Sequence, residues 1–272
     1  MTPAFLFLLF LSLIDFSPLQ SAPTDLGDRT EKSTNVFEII PTPRAGSKTP
    51  LLLGDIAVVD PVLKNADPCT GRGCKWPKSG RYVYVPYYID NTYSDKERSI
   101  ILRGLKSFHE STCIRFIPWA EGRRDYIHFF TRPQSGCWSS LGRQNGGQYI
   151  SLERYSCTYH STVQHEVLHA LGFNHEQVRS DRDRYVRILF QNIRPDQRHN
   201  FMKKQTNNLG TPYDFASVMH YKNYDFSKNG QPTIVAKDNP RLSFGYARQM
   251  SHNDIARLNK LYKCSYDLLS EV

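Results

Sequence analysis

The residues that could do chemistry together lie between Thr162 and Asp183, in the stretch TVQHEVLHALGFNHEQVRSDRD. His165 and His169 stand four apart, so on a helix both imidazoles leave one face and can share a metal ion. Glu166 follows the first histidine and is spaced to handle the proton of a water at that metal rather than to ligate. Gly172 comes after the helical run, where a left-handed backbone conformation turns the chain sharply. That turn is expected to bring His175 back as a third nitrogen ligand. Three protein ligands with one position left open make a catalytic rather than a structural zinc site, so one zinc ion per chain is the expected cofactor.

A bare His-Glu-x-x-His is weak evidence, since an ordinary amphipathic helix can carry two histidines at that spacing. Here the pattern extends to His-Glu-x-x-His-x-x-Gly-x-x-His, and Met219 follows in Ser217-Val218-Met219-His220-Tyr221. Metzincin metalloproteases combine these two elements in this order. After the third histidine, His175-Glu176-Gln177, Arg179 and Asp181-Arg182-Asp183 closely resemble the signature of the astacin metallopeptidases. The resemblance runs from about Asn65 to Cys264.

That resemblance implies an α+β, metzincin-like catalytic domain. Its N-terminal half is a twisted mixed sheet with two helices, its C-terminal half is irregular and ends in a helix, and the zinc cleft lies between them. It implies that Glu166 is the general base and that Tyr221 ligates zinc at rest and swings to the oxyanion during reaction. Met219 is read as an apolar floor under the histidines, and Glu176 as the acceptor of the mature N-terminal ammonium. His109, His128, His160, His199, His220 and His252 fall outside the ligand spacing. Leu52-Leu53-Gly54-Asp55 resembles the family's prosegment motif, in which an aspartate, here Asp55, caps the zinc; Leu52 stands where the family usually has phenylalanine.

Cysteine number and targeting agree with an oxidising route. Six cysteines leave many pairings open; the resemblance implies Cys113 with Cys264 and Cys137 with Cys157. The remaining Cys69 and Cys74 then close a small loop, since no second Cys/His pair matches their spacing as a metal knuckle. Residues 1–21 read as a secretory signal peptide, apolar from Phe5 to Ile14 and too short to span a bilayer, and no other stretch is apolar enough to do so. Residues 22–64, rich in Pro, Thr, Ser and charge, read as a propeptide, leaving 65–272 as the peptidase domain.

From Asn65 onward the chain carries 30 basic and 19 acidic residues, a field that favours acidic matrices or substrates. The basic residues are scattered and form no nucleic-acid motif, so nucleic acid is excluded as the partner. The expected product is a secreted monomer acting on protein or peptide, held as a zymogen in secretory granules. Three features resemble the hatching-enzyme branch of the family: one catalytic domain without appended modules, the Asn-Ala-Asp-Pro-Cys start, and the extra cysteine pair. They imply an egg-envelope glycoprotein as substrate. A digestive or immune protease is the alternative, and an inactive zinc-containing binding protein is disfavoured by the presence of Glu166 and Tyr221.

Several elements must position these groups. Tyr82 to Ile89, Cys113 to Ile117 and Tyr126 to Phe130 read as strands, and Ser94-Asp95-Lys96-Glu97 as a capping box opening a helix. Ser135 to Ser139 resembles the family's cleft-rim loop, and Gly147 to Leu152 is expected as the sheet edge above the zinc, where an extended peptide could add as a strand. Ser161 to Gln164 reads as a capping box starting the metal-binding helix, and Val163, Val167, Leu168 and Leu171 as its apolar anchor. Val186 to Phe190 reads as a short strand, Pro195 as the start of a short helix, and most of Thr206 to Arg248 as irregular. Ser251 to Asp254 is expected to cap a last helix.

Overall fold

Alternation in Tyr82–Ile89 gives the sheet its inward face: Val83, Val85 and Ile89 are buried while Tyr84 stays exposed. The computed structural model describes residues 51–52, 54–57 and 73–265, all within the unit Thr42–Val272. The expected signal peptide, most of the propeptide, the Lys64–Asn65 junction and Cys69 lie outside the described residues. In chain order the strands are β1 (Leu51–Leu52), β2 (Ile56–Ala57), β3 (Lys78–Ser79), β4 (Tyr82–Ile89), β5 (Ile114–Pro118), β6 (Tyr126–Phe130), β7 (Cys137–Ser140), β8 (Gly147–Leu152), β9 (Val186–Ile188) and β10 (Ile234–Ala236). Among the described residues the α-helices are α1 (Asp95–Ser111), α2 (His160–Ala170) and α3 (His252–Tyr262).

The main sheet runs β1-β2-β7-β8-β6-β4-β3, with β5 pairing β4 outside that order. It is mixed, as expected: β4–β5, β4–β6 and β6–β8 are parallel, and β7–β8 is antiparallel. Residues Ile127, Phe129, Ile150 and Leu152 pack with Ile101, Leu105 and Phe108 of α1 and Val163, Val167 and Leu168 of α2 in one core. Each such side chain contributes about 1.5–3 kcal/mol when fully buried.

Two local expectations are corrected. Strand β8 is interior, flanked by β6 and β7; Cys137–Ser140 forms β7 rather than a rim loop, and β7 is followed on this side only by the short β2 and β1. Glu153 explains the order there, because its carboxylate accepts from both Gln134 N and Gly136 N, at 2.7 and 3.0 Å, and fixes the entry to β7. Helix α2 starts at His160 with Tyr159 as N-cap and no side-chain cap. Gln164 cannot serve a capping box because it is used elsewhere: its amide donates to Ser107 Oγ at 2.8 Å and accepts from Met250 N at 2.7 Å.

The other two caps form as read. Ser94 with Glu97 opens α1, and Ser251 with Asp254 opens α3. After α3, Lys263 is left-handed at φ 51°, and Cys264 bonds Cys113, tying the last helix to the strand after α1. Cys137 bonds Cys157, joining β7 to the approach to α2. Cys74 is disulfide-bonded as well. Among the described residues, the C-terminal half has only the β9–β10 pair as sheet, antiparallel, around a second core that includes Val186, Ile193, Phe201, Tyr221, Ile234 and Phe244. Side chains do the work of ladders there: Asn223 bonds Ile234 O, Leu242 O and Phe244 N, and Arg182 donates to Gln177 O and Phe201 O. No helix among the described residues is long and apolar enough to cross a membrane.

Helices α1 and α2 touch at Gly104, where a Cβ would come within 2.5 Å of Val163 Cγ1. Valine is stiff at χ1 and cannot step aside. Gly104→Ala should therefore lose about 1–3 kcal/mol of stability in denaturant unfolding, with part regained in Gly104→Ala/Val163→Ala. An unchanged midpoint for the single variant would contradict this close packing.

Candidate metal centre

Helix α2 is short and buried, so its last carbonyls need partners from elsewhere. They are supplied by remote donors: Gly142 N to His169 O at 2.8 Å, the Trp76 indole to Ala170 O at 3.0 Å, and the Tyr262 hydroxyl to Leu171 O at 3.0 Å. Gly172 follows at φ +102°, and the chain reverses so that His175 faces the two histidines of the helix. Sequence reading missed Trp76, Gly142 and Tyr262; the one available signal was that a buried Trp or Tyr needs a partner for its polar hydrogen.

The Nε2 atom of His165 lies 3.1 Å from that of His169 and 3.2 Å from that of His175. Asp55 Oδ2 is 3.1 Å from His165 Nε2 and 3.2 Å from His175 Nε2. Outward-facing nitrogens set the tautomers: His165 Nδ1 donates to Val218 O at 2.8 Å and His169 Nδ1 to Phe173 O at 2.7 Å, which in the neutral rings leaves each Nε2 with a lone pair. A single hydrogen on His165 Nε2 could serve only one of its three neighbours, so the remaining contacts set lone pair against lone pair. Ligands at about 2.0–2.1 Å around a tetrahedral zinc stand roughly 3.3 Å apart, which these spacings fit.

Charge points the same way. Burial opposes ionisation of Asp55, yet His175, His165 and His169 together hold its carboxyl well below the usual range. Burial presses His175 down to about 4 against the pull of Asp55, whereas at His165 the hydrogen bond and charge of Asp55 outweigh burial and raise it to about 9. A half-buried carboxylate and three imidazoles are thus a donor set that calls for a cation.

Glu166 is 1 % exposed, and its Oε2 has no hydrogen-bond partner among the described residues. Burial, and then the charge of Asp55, push its carboxyl well above the usual range. It lines one cleft with Asp55, His165, Tyr221 and Cys137 of β7. The Tyr221 ring packs on His175 at 4.6 Å, and burial and then Asp55 raise its hydroxyl well above the ordinary value. Met219 is buried in the main core and its carbonyl accepts from Glu176 N at 3.0 Å. His220, driven down to about 4 by burial, is engaged by Tyr213, Oη to Nε2 2.7 Å, and is not among the clustered ligand nitrogens. Glu176 is held by Arg257 through both oxygens, by Arg179 and by Asp214 N at 2.8 Å.

Asp55 arrives on a β-hairpin. Strands β1 and β2 pair antiparallel, with Leu52 opposite Ile56, so Gly54 and Asp55 sit at the tip. Strand β2 lies parallel on β7, opposite Ser139 and Ser140, and Asp55 O accepts from Ser139 N at 2.9 Å. Gly54 has φ +87°, and a Cβ there would meet Tyr221 Oη at 2.8 Å and Phe226 Cζ at 3.0 Å.

Comparison with known proteins agrees with this geometry. The family model described as Astacin, a peptidase family, matches residues 72–263. The chain is 43% identical to the low choriolytic enzyme of Oryzias latipes over 233 residues, 85% of this chain and 84% of that one. It is 44% identical to high choriolytic enzyme 2 of the same fish over 216 residues, 79% of this chain and 76% of that one. Among solved structures, high choriolytic enzyme 1 of medaka, a hatching enzyme zinc-protease, superposes with a TM-score of 0.70 at 43% identity, covering 74% of this chain and all 100% of that one. With a histidine cluster suited to zinc beside a buried glutamate, and a family match over residues 72–263, the chain belongs to the astacin family of zinc metalloendopeptidases.

Proposed function

We propose that His165, His169 and His175 hold the zinc and that Glu166 is the catalytic base. The observation that carries this is the convergence of three Nε2 atoms at 3.1–3.2 Å beside an unpaired, buried glutamate oxygen. Zinc, when bound, supplies a Lewis acid that polarises the scissile carbonyl and lowers the pKa of water. Glu166 takes the proton of the attacking water and passes it to the departing amine. Tyr221 donates its hydroxyl to the developing oxyanion, while Met219 supports the histidines from below. Strand β7 is the edge on which an extended substrate adds its backbone, which explains how the enzyme grips peptides of varied side chains.

The substrate we infer is egg-envelope protein, and the setting extracellular. Support comes from similarity to choriolytic enzymes over most of both chains, together with two intramolecular disulfides suited to an oxidising compartment. Glu166→Ala should keep bound zinc and the unfolding midpoint while removing nearly all cleavage of casein and of solubilised egg envelope. Appreciable residual cleavage would reject Glu166 as the base; cleavage of casein with none of egg envelope would reject the substrate.

The hairpin gives a reading of latency. In the uncut chain Asp55 occupies the histidine cluster and β2 occupies the edge needed by substrate. Cutting near Lys64-Asn65 would release the segment and create an ammonium, for which Glu176 is the proposed acceptor, in competition with Arg257. Both Asp55→Ala, which removes the carboxylate, and Gly54→Ala, which forces a Cβ against Tyr221, should make the uncut chain cleave a small peptide, with Glu166→Ala as background. Latency equal to the parent in both variants would show that this hairpin is not the switch.

A further inference from the structure

The three histidines are supported differently on their far sides. His169 Nδ1 ends on Phe173 O, within the turn that follows its own helix, and His175 Nδ1 is buried without a hydrogen-bond partner among the described residues. His165 Nδ1 begins a longer chain. It donates to Val218 O at 2.8 Å, and the N–H of that same peptide unit, Met219 N, donates to Ser217 Oγ at 3.0 Å. The Ser217 hydroxyl in turn donates to Asp254 Oδ1 at 2.6 Å. Imidazole, peptide, hydroxyl and carboxylate thus form one unbroken series with every hydrogen pointing toward the carboxylate. Ser217 is fully buried and Asp254 only 3 % exposed, so little water competes with these links.

Asp254 has a second duty that has to be separated from this one. Its Oδ2 accepts from Ser251 N and from Val218 N, both at 2.9 Å, and so caps α3 and pins the loop. Three donors face the side chain, which suits a carboxylate as a group that only accepts. Capping requires Oδ2, whereas the series to His165 runs through Oδ1. Negative charge at its end makes Ser217 Oγ a stronger acceptor, which polarises the peptide and strengthens the acceptor that meets His165 Nδ1–H. A stronger acceptor behind a metal-ligating imidazole fixes its orientation and raises the basicity of the nitrogen that binds the metal.

We infer that Ser217 and Asp254 are positioning residues for His165, a carboxylate support delivered through a hydroxyl and a peptide group from the C-terminal helix. This rests on the reading of His165 as a zinc ligand. Neither residue touches the cluster itself, and Asp254 lies 89 positions beyond His165 in the sequence.

The test uses the zinc-loaded full chain and its variants Ser217→Ala, Asp254→Asn, the double variant and His165→Ala. Asp254→Asn can keep an oxygen on the capping donors while turning its NH₂ toward Ser217, which reverses that link. Two quantities are read: the rate of zinc transfer to a chromogenic chelator, and the position of the His165 Nδ1–H proton resonance. Each single variant should release zinc about 10- to 100-fold faster and shift the resonance upfield. The double variant should be no faster than roughly the faster single, because both changes cut one series. Release within about two-fold of the parent in Ser217→Ala, an unmoved resonance, or effects that multiply in the double variant would overturn the inference. Should Asp254→Asn fail to fold, Ser217→Ala decides alone, since it leaves the cap intact. His165→Ala separates the two readings: if it retains zinc as the parent does, His165 is not a ligand at all. If it loses zinc while Ser217→Ala behaves as the parent, only the relayed support is wrong.

Discussion

The Nε2 atoms of His169 and His175 lie 3.1 and 3.2 Å from that of His165, so lone pairs on the neutral rings repel one another, and every neighbouring element works against that repulsion. A cation at their centre turns the repulsion into attraction, but the rings must first be held there by the protein. Helix α2 supplies two of them at a fixed spacing, the turn at Gly172 returns the third, and carbonyls of Val218 and Phe173 fix two ring orientations. Such preorganisation is what allows a site to bind tightly without reorganising at the moment of reaction.

The two halves of the domain contribute in different ways. The N-terminal half is a conventional core, in which sheet and helices bury alternating and periodic apolar residues and anchor α2. The C-terminal half has little regular structure, and its loops are fixed by buried side chains that replace ladder hydrogen bonds. Arg179 reaches Thr211 O and Pro212 O, and Arg257 reaches Pro212 O and both oxygens of Glu176. Helix α3 closes the arrangement through Tyr262, which caps α2, and through the Cys113–Cys264 bond.

Much of this was legible in the sequence wherever the signal was local. His165, His169, Gly172 and His175 declare themselves by spacing, the alternation of Tyr82–Ile89 declares a strand, and the capping boxes at Ser94 and Ser251 mark helix starts. Local signals misled where a side chain had a distant duty. Gln164 sits at a capping spacing yet cross-links Ser107 and Met250, and no pattern in Gly147–Leu152 reveals that Cys137–Ser140 will pair outside it. The partners that finish α2, separated from it by 94 and 91 residues for Trp76 and Tyr262, are fixed only by the folded chain.

The central claim is that the uncut chain holds one metal between three imidazoles and the Asp55 carboxylate. Zinc-edge X-ray absorption on the zinc-loaded, uncut chain tests it directly. The account predicts one zinc per chain, with scattering from three imidazole rings and one carboxylate oxygen at about 2.0–2.2 Å. Zinc surrounded by fewer than three imidazoles, or by three imidazoles with no carboxylate contribution, would contradict it.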